Sequence, residues 1–315
     1  MGIINYNKRF FRQPETWIKD IKLKQRIISA LIAIPLFLAI ILFAPQPIYL
    51  AFWHLCIIAC SYEFFKIRGL SKINSLITAA VVGSIAPVMF YLYLNGFFNE
   101  TYLLLFCAVM AYFVLYIWLI AVPILFRKYA KNQQFKSNNV YIFIIWLFII
   151  SYFYLFTSSF SDEENYMLGR NINANPRLLL LSVLITIWAN DAGAYFVGKA
   201  IGKHKFSPII SPNKTWEGFF GGIVIATIAM VIMYFHYPIV ALCIAPFIAI
   251  FATIGDLFQS MLKRMAGVKD SGNIMPGHGG VFDRIDSWLA VGSIAPALLL
   301  AGLLTFFMIF GFPSV

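Results

Sequence analysis

The side chains best suited to chemistry are four aspartates in the C-terminal half of the chain, Asp191, Asp256, Asp283 and Asp286. Asp191 interrupts a long apolar run, where a carboxylate costs about 2.5–3.5 kcal/mol on insertion scales and usually serves a function. A polar clamp between two helices is the alternative for Asp191. Glu63 also lies in an apolar run but near its end, so we expect its side chain to snorkel to the membrane interface, outside the site.

A segment with a lysine among small and polar residues follows Asp191 and reads Ser-Pro-Asn-Lys-Thr-Trp-Glu-Gly at residues 211–218, with Gly221 and Gly222 beyond it. It leads into the next apolar run, whose first helical turn offers free N–H groups and a partial positive charge. Lys214 and the small residues beside it suit a phosphate group at this helix end. The alternative is a capped loop whose lysine serves only as a membrane-orientation signal.

The densest polar stretch lies between the last two apolar runs. Asp256, Ser260 and Lys263 are spaced i, i+4 and i+7, which predicts one helical face if the helix continues through them. We expect Asp256 at the C-terminus of its helix, where the partial negative charge favours a cation. Asp283 and Asp286 at i and i+3 predict a shared face at the start of the last helix.

Glycines in the same stretch, Gly279 and Gly280, let backbone N–H groups approach an anion. No His–Asp pair accompanies Ser260, so we expect it to be a ligand or packing residue rather than a nucleophile. A nucleotide–metal complex requires groups that bind anions and groups that bind cations. The predicted site offers two helix N-termini for the anions and several carboxylates for the cations. Carboxylate oxygens are the ligands that suit Mg²⁺.

The composition indicates that helices in a membrane must position these residues. Of the 315 residues, 61% are hydrophobic and only 12% are Asp, Glu, Lys or Arg, against about 25% charged residues in soluble domains. Lipid offers no partner to an open strand edge, so we predict an all-α, polytopic integral membrane protein. Nine runs predict spanning helices, at residues 27–44, 48–65, 76–94, 101–126, 140–160, 178–198, 218–235, 238–255 and 288–310.

The basic residues predict the orientation of these nine spans. Of the 24 Lys and Arg residues, 22 lie in the N-terminal tail and in alternate connections, and the other side has only Arg170 and Arg177. The N-terminus is therefore expected in the cytoplasm. The net charge of +11 is explained in this way, so nucleic acid is not expected as a partner. We divide the chain into a basic cytoplasmic tail (1–26), five N-terminal spans (27–177) and a four-span catalytic region (178–315).

The segment from Ser260 to Asp286 closely resembles the signature of phosphatidate cytidylyltransferases, the CDP-diacylglycerol synthases. That signature has a serine, then Lys-Arg, Lys-Asp, His-Gly-Gly and Asp-Arg-hydrophobic-Asp at fixed spacing. The matching residues are Ser260, Lys263, Arg264, Lys269, Asp270, His278, Gly279, Gly280, Asp283, Arg284 and Asp286. One small departure is Met275, where the family usually has Leu, Ile or Phe. The likeness covers roughly residues 188–288 and includes the elements around Asp191, Lys214 and Asp256.

The resemblance implies a multispanning helical fold, Mg²⁺ dependence and a homodimer. It also implies transfer of CMP from CTP to phosphatidate, with release of pyrophosphate, at the cytoplasmic face of a membrane, which we expect to be a bacterial inner membrane. A CTP-dependent kinase of polyprenols or other lipids is one alternative, and it would release CDP. A transporter is the other, because intramembrane carboxylates and broken helices also suit ion pathways.

Under this hypothesis, Asp256 and Asp283 hold Mg²⁺, and Asp286 and Asp191 are nearby ligands or supports. Basic side chains hold the phosphate oxygens, with arginine in a bidentate fork where geometry allows. The catalytic set is expected to comprise Asp283, Asp256, Asp286, Lys263, Arg264 and His278. The expected substrate-binding set comprises Lys214, Asn213, Ser211, Lys269, Gly279, Gly280, Arg284 and Ser260.

Overall fold

The computed structural model describes residue 29 and residues 31–97, 100–135, 138–161, 175–274 and 279–310. The helices in these ranges are α1 Leu31–Phe43, α2 Gln46–Ile67, α3 Lys72–Leu94, α4 Glu100–Tyr116, α5 Val122–Lys131, α6 Asn139–Ser158, α7 Pro176–Ile201, α8 Trp216–Met233, α9 Pro238–Met265 and α10 Phe282–Phe310. Two short strands, β1 Lys205–Ser207 and β2 Ser211–Thr215, form an antiparallel hairpin between α7 and α8. The predicted tail, residues 1–26, lies outside the described residues.

Eight helical segments of the described chain are long and apolar enough to cross a membrane. One of them, Leu105–Lys131, contains most of α4 and all of α5, joined by a π-helical segment, Ile117–Ala121. Helix α1 is shorter, and the predicted first span at residues 27–44 lies partly outside the described residues. The chain is an all-α, polytopic membrane protein, as its composition predicts. Helix lengths do not decide the orientation, so a cytoplasmic N-terminus stays a prediction.

Two helix boundaries differ from prediction where the sequence becomes polar. Helix α9 continues well past residue 255, and α10 begins before residue 288. Hydropathy places the end of α9 too early and the start of α10 too late, because polar side chains persist in membrane helices where they face other helices. The predicted helical face is confirmed, because Ser260 Oγ donates to Asp256 Oδ1 at 3.2 Å one turn away. The expected helix C-terminus at Asp256 is wrong, since α9 ends at Met265.

Helix α10 lies at the centre of the bundle, against α4, α6 and α9, and is the most buried of the eight spans. In contrast, only 22% of the apolar window of α3 or of α8 is buried, so their apolar outer faces are available to lipid. Helix α8 packs chiefly along α7, with α9 also in contact. Helix α10, which carries Asp283 and Asp286, is therefore surrounded by other helices, while α3 and α8 lie at the periphery.

Aromatic packing fixes α2 and α6 against the start of α10. The Trp146 ring stacks on Phe64 with centroids 4.1 Å apart and meets Phe282 edge-on at 5.1 Å. Trp146 Nε1 donates to Ser61 Oγ at 3.1 Å, which satisfies the one polar atom of the buried indole. Phe282 is the first residue of α10, so this cluster anchors the end of the helix that carries two of the four aspartates.

The glycines near Lys214 serve helix packing. A Cβ atom on Gly218 would lie 2.7 Å from the Ala194 carbonyl oxygen, and one on Gly222 would lie 2.7 Å from Asn190 Oδ1. These distances are too short for real Cβ contacts, so the glycines allow α8 to approach α7 closely. Helix packing therefore accounts for these small residues, and a phosphate beside them stays a prediction.

Candidate active site

The β-hairpin places Lys214 beside a carboxylate of α9. Lys205 pairs with Thr215 and Ser207 with Ser211, so three residues of β2 oppose one residue of β1. Bulges of this kind redirect side chains and often lie next to functional sites. Lys214 is within the bulge, and its Nζ lies 2.6 Å from Asp256 Oδ2.

The N-terminus of α8, which the sequence predicts as an anion site, has internal partners. Thr215 caps the helix, because its Oγ1 accepts the Gly218 N–H at 3.1 Å. Glu217 in the first turn accepts the backbone N–H of His204 at 3.2 Å and contacts His204 Nδ1 at 2.6 Å. A phosphate near this helix end is therefore expected to depend on Lys214 rather than on these capped groups.

A close approach of α9 to α10 brings Asp256 near Asp286. A Cβ atom on Gly255 would lie 2.6 Å from the Asp286 carbonyl oxygen and 2.7 Å from Ala290 Cβ, so only glycine fits without displacement. Asp256 also interacts electrostatically with Asp191 of α7, and Asp191 in turn with Asp286. We call Asp191, Asp256 and Asp286 the carboxylate cluster. It includes three of the four aspartates that the sequence singles out.

The carboxylate cluster keeps oxygens that the described residues do not occupy. Asp286 Oδ1 accepts the Ser287 N–H at 2.8 Å, and Asp191 Oδ1 accepts only a long bond, 3.4 Å, from Asn190 Nδ2. The Oδ2 atoms of Asp191 and Asp286 accept no hydrogen bond from the described part of the chain. Asp191 is exposed and Asp286 is half-buried, so these oxygens are open to a cation, and the like charge of the neighbouring carboxylates favours one.

The donor set suits Mg²⁺ in its chemistry. Within the described residues, no three His, Cys, Asp or Glu side chains are grouped closely enough to hold a metal by themselves. Mg²⁺ is usually bound by one or two carboxylates together with water and substrate phosphates, rather than by an all-protein cage. The oxygen-only carboxylate cluster therefore fits an ion shared with a phosphate ligand.

Asp283 stands apart from the carboxylate cluster because its oxygens already have partners. Its Oδ1 accepts Gln259 Nε2 at 2.9 Å and Lys263 Nζ at 2.8 Å. Its Oδ2 accepts the backbone N–H groups of Ser271 at 2.8 Å and Gly280 at 3.0 Å. Two carboxylate oxygens offer about four acceptor positions, and all are filled. Mg²⁺ binding by Asp283 would require one of these donors to leave, so that assignment stays a prediction.

Glu63 is a site residue that the sequence reasoning missed. Its side chain is buried, with 1% of the residue exposed, so the expectation that it snorkels to the interface is wrong. The carboxylate accepts Ser271 Oγ at 2.7 Å and the backbone N–H groups of Phe282 at 2.9 Å and Val281 at 3.1 Å. It therefore occupies the N-terminus of α10, the second helix end predicted to bind an anion. The available signal was a carboxylate within an apolar run, the same signal that identified Asp191.

Similarity to known proteins agrees with this arrangement. A model of the cytidylyltransferase family matches residues 24–301. The chain belongs to the cytidylyltransferase family. Proteins named phosphatidate cytidylyltransferase are 50% identical in Bacillus subtilis over 127 residues (39% of this chain, 47% of that one) and 42% identical in Pseudomonas aeruginosa over 129 residues (39% and 48%). These alignments span about half the length of those relatives. The Haemophilus influenzae protein of the same name is 33% identical over 288 residues, 85% of this chain and 95% of that one.

The other described residues of the predicted site in this cytidylyltransferase-family protein lie on α9, β2, α10 and the connection between α9 and α10. Arg264 Nη1 lies 3.5 Å from the Val268 carbonyl oxygen, and neither Arg264 nor Lys269 forms an ion pair with a described carboxylate. Ser211 and Asn213 lie on β2 near Lys214, and Arg284 is exposed in the first turn of α10. His278 lies outside the described residues. The roles of these residues stay predictions.

Proposed function

We propose that this chain transfers the cytidylyl group of CTP to phosphatidate and produces CDP-diacylglycerol and pyrophosphate. The observation that carries the proposal is the accessible ion pair of Lys214 with Asp256, in a protein of membrane-spanning helices. It brings a cation able to hold a phosphate next to carboxylates able to hold a metal. The relationship to the Haemophilus influenzae protein, which extends over 95% of that protein, supports the choice of substrates.

The proposed reaction joins two anions. A phosphate oxygen of phosphatidate attacks the α-phosphorus of CTP, the bond from that phosphorus to the bridging oxygen of the β-phosphate breaks, and pyrophosphate leaves. No covalent intermediate with the protein is needed. The protein must align two groups that repel each other and neutralise their charge, which are the main contributions of enzymes that transfer phosphoryl and nucleotidyl groups.

The carboxylate cluster is the proposed holder of Mg²⁺. Asp191 and Asp286 have free oxygens for the ion, and Asp256 completes the set if Lys214 moves from it to a phosphate oxygen. When bound, Mg²⁺ neutralises charge on the phosphate oxygens. Lys214 then has two alternative partners, Asp256 in the substrate-free protein and a phosphate in the complex.

Asp283 is proposed to orient Lys263 rather than to bind the metal. The two side chains are buried together, with 9% and 13% of them exposed, and Gln259 supports the same oxygen. Lys263 is therefore held at a fixed position on the face of α9 that also carries Asp256. From there it is proposed to bind a phosphate oxygen as a charge-assisted donor. Arg264, Lys269, His278, Ser260 and Arg284, with the Gly279 and Gly280 backbone, belong to the same proposed phosphate-binding region.

The proposed setting is a bacterial inner membrane with the N-terminus and the site on the cytoplasmic side. The alternation of basic connections supports this orientation, and bacterial relatives support the type of membrane. Phosphatidate would keep its acyl chains in the bilayer and present its phosphate between helices. A homodimer, implied by the resemblance to the family, is part of the same proposal.

The test is a transfer assay with purified protein in detergent, phosphatidate, Mg²⁺ and CTP labelled in the cytosine ring. We expect label in the lipid phase and an equal amount of pyrophosphate in the water phase, both lost in Asp256→Asn. Release of CDP without lipid labelling would instead identify a CTP-dependent lipid kinase. If the folded protein releases neither pyrophosphate nor CDP with any lipid acceptor, the proposal of an enzyme fails, and transport is the hypothesis to test next.

A further inference from the structure

Glu63 connects the N-terminal half of the chain to the site. It lies on α2, and its three hydrogen-bond partners are 208 to 219 residues away in the sequence. They are Ser271, Val281 and Phe282, which lie in the described residues 271–274 and 279–282, in the connection between α9 and α10 and at the first residue of α10. We call these residues, 271–274 and 279–282, the connection segment. A single buried carboxylate thus ties both ends of this segment together.

The connection segment is shaped to fit the Glu63 carboxylate. A Cβ atom on Gly272 would collide with the Glu63 carboxylate, and a Cβ atom on Gly280 would collide with both Glu63 and the Ser271 hydroxyl. The absence of side chains at these two glycines lets the backbone approach Glu63 from two sides. This fit is independent of the hydrogen bonds and indicates that the segment is built around Glu63.

The same segment positions Asp283 and, through it, the Lys263 ammonium group that is proposed to bind phosphate. The N–H groups of Ser271 and Gly280 donate to Asp283 Oδ2, while Asp283 Oδ1 holds Lys263. Ser271 therefore contacts Glu63 through its hydroxyl and Asp283 through its backbone. A shift of the segment away from Glu63 would move Asp283 and, with it, the Lys263 ammonium group.

We propose that Glu63 is a positioning residue for the cytidylyl transfer, acting through the connection segment on Asp283 and Lys263. The inference rests on the proposed function for the reaction, but the contact itself is open to a separate structural test. Glu63 has no described contact with the carboxylate cluster, so it acts on the phosphate-binding side of the site. Displacements of about 1 Å in such supports are sufficient for losses near 100-fold in rate.

The test variant is Glu63→Gln, which keeps the size of the side chain and replaces one oxygen by an amide NH₂. In either amide orientation, this NH₂ faces a backbone N–H, that of Val281 or that of Phe282, so one contact becomes repulsive. The matched control is Tyr49→Phe, on the same helix and equally buried. It removes the hydroxyl that donates to the Thr157 carbonyl oxygen at 2.9 Å but none of the contacts to the connection segment.

We expect Glu63→Gln to raise the KM for CTP about tenfold and to lower kcat/KM about 100-fold, with Tyr49→Phe unchanged. A variant that merely left part of the protein unfolded would lower the apparent kcat without changing KM. A wild-type KM in Glu63→Gln would therefore overturn the positioning role. If Glu63→Gln does not fold, Ser271→Ala removes one of the three contacts and should raise KM about two- to tenfold. An unchanged KM in Ser271→Ala would also count against the proposal.

Hydrogen exchange separates this inference from the proposed function. Amide exchange at residues 279–282 should be faster in Glu63→Gln than in the wild type or in Tyr49→Phe, measured in the same lipid nanodiscs. If the wild type forms no CDP-diacylglycerol, the proposed function fails, yet faster exchange still supports the Glu63 contact as the organiser of the segment. Unchanged exchange at residues 279–282 overturns the contact, whatever reaction the site performs.

Discussion

Lys214 of the β-hairpin and Asp256 of α9 form an ion pair of 2.6 Å between Nζ and Oδ2. The two side chains are 26% and 33% exposed, so the pair is accessible from outside the bundle. Pairs with this exposure contribute only about 0–1 kcal/mol to stability. The pair is therefore better explained by a change of partners, in which Lys214 leaves Asp256 to bind a phosphate and Asp256 then binds a cation.

The Lys214→Met variant should lose activity without losing stability. We expect kcat/KM for CTP to fall about 10²- to 10³-fold, as when a charge-stabilising donor is removed from an active site. The measurement is the labelled transfer assay, with thermal unfolding in detergent alongside. Lys199→Met is the matched control, because Lys199 is an exposed lysine on α7 whose Nζ lies 5.8 Å from the Tyr195 ring centroid. Equal activities in the two variants would contradict the phosphate-binding role of Lys214.

Asp283→Asn and Asp256→Asn should differ in their effects on stability. In Asp283→Asn, the new NH₂ group faces either Lys263 and Gln259 or the N–H groups of Ser271 and Gly280. Breaking a buried charged pair from one side costs about 3–5 kcal/mol, so unfolding should occur at a clearly lower temperature.

Asp256→Asn removes a more exposed partner, so its stability should change by no more than about 1 kcal/mol while turnover is lost. Thermal unfolding and turnover of both variants, measured in one detergent, provide the comparison. If Asp283→Asn abolished turnover with wild-type stability, the metal-ligand role predicted from sequence would be favoured over the orienting role inferred from the contacts.

The orientation in the membrane can be tested with single cysteines. The four native cysteines, Cys56, Cys60, Cys107 and Cys243, are free and would first be replaced. Lys203→Cys, exposed before the hairpin, should react with an impermeant maleimide only in inside-out vesicles. Asn95→Cys, exposed after α3, should react only in right-side-out vesicles. The opposite pattern would reverse the proposed orientation and move the site to the outer face.

Sequence alone predicted the fold class because so few charged residues leave lipid as the main solvent. In lipid, backbone N–H and C=O groups must be paired within the protein, as they are in helices. It also predicted the helical face of Asp256 and Ser260, since i, i+4 spacing is a local property. The pairing of Lys263 with Asp283 and the burial of Glu63 were not predictable in this way. They depend on which helices pack together, and the Glu63 partners are more than 200 residues away.

The packing roles of Gly218 and Gly222 were not predicted from the sequence. A glycine near a lysine suggests phosphate binding, but Gly218 and Gly222 are needed for the contact of α8 with α7. Nothing in a single sequence distinguishes a glycine that lets backbone approach a ligand from one that lets two helices meet. Gly279 differs from both, because its φ of +85° is a conformation that other residues rarely adopt.

Gly255 provides a test of how closely α9 and α10 must approach. In Gly255→Val, the new Cβ would begin 2.6 Å from the Asp286 carbonyl oxygen, so the helices must separate at the carboxylate cluster. Overpacking of this kind costs about 1–3 kcal/mol, and a larger distance between Asp256 and Asp286 should also weaken Mg²⁺ binding. The measurements are thermal unfolding and the Mg²⁺ concentration that gives half-maximal activity. Gly302→Ala is the control on α10, because a Cβ there meets nothing within 4 Å. Lower stability with an unchanged Mg²⁺ requirement would show that the Asp256–Asp286 approach supports packing alone.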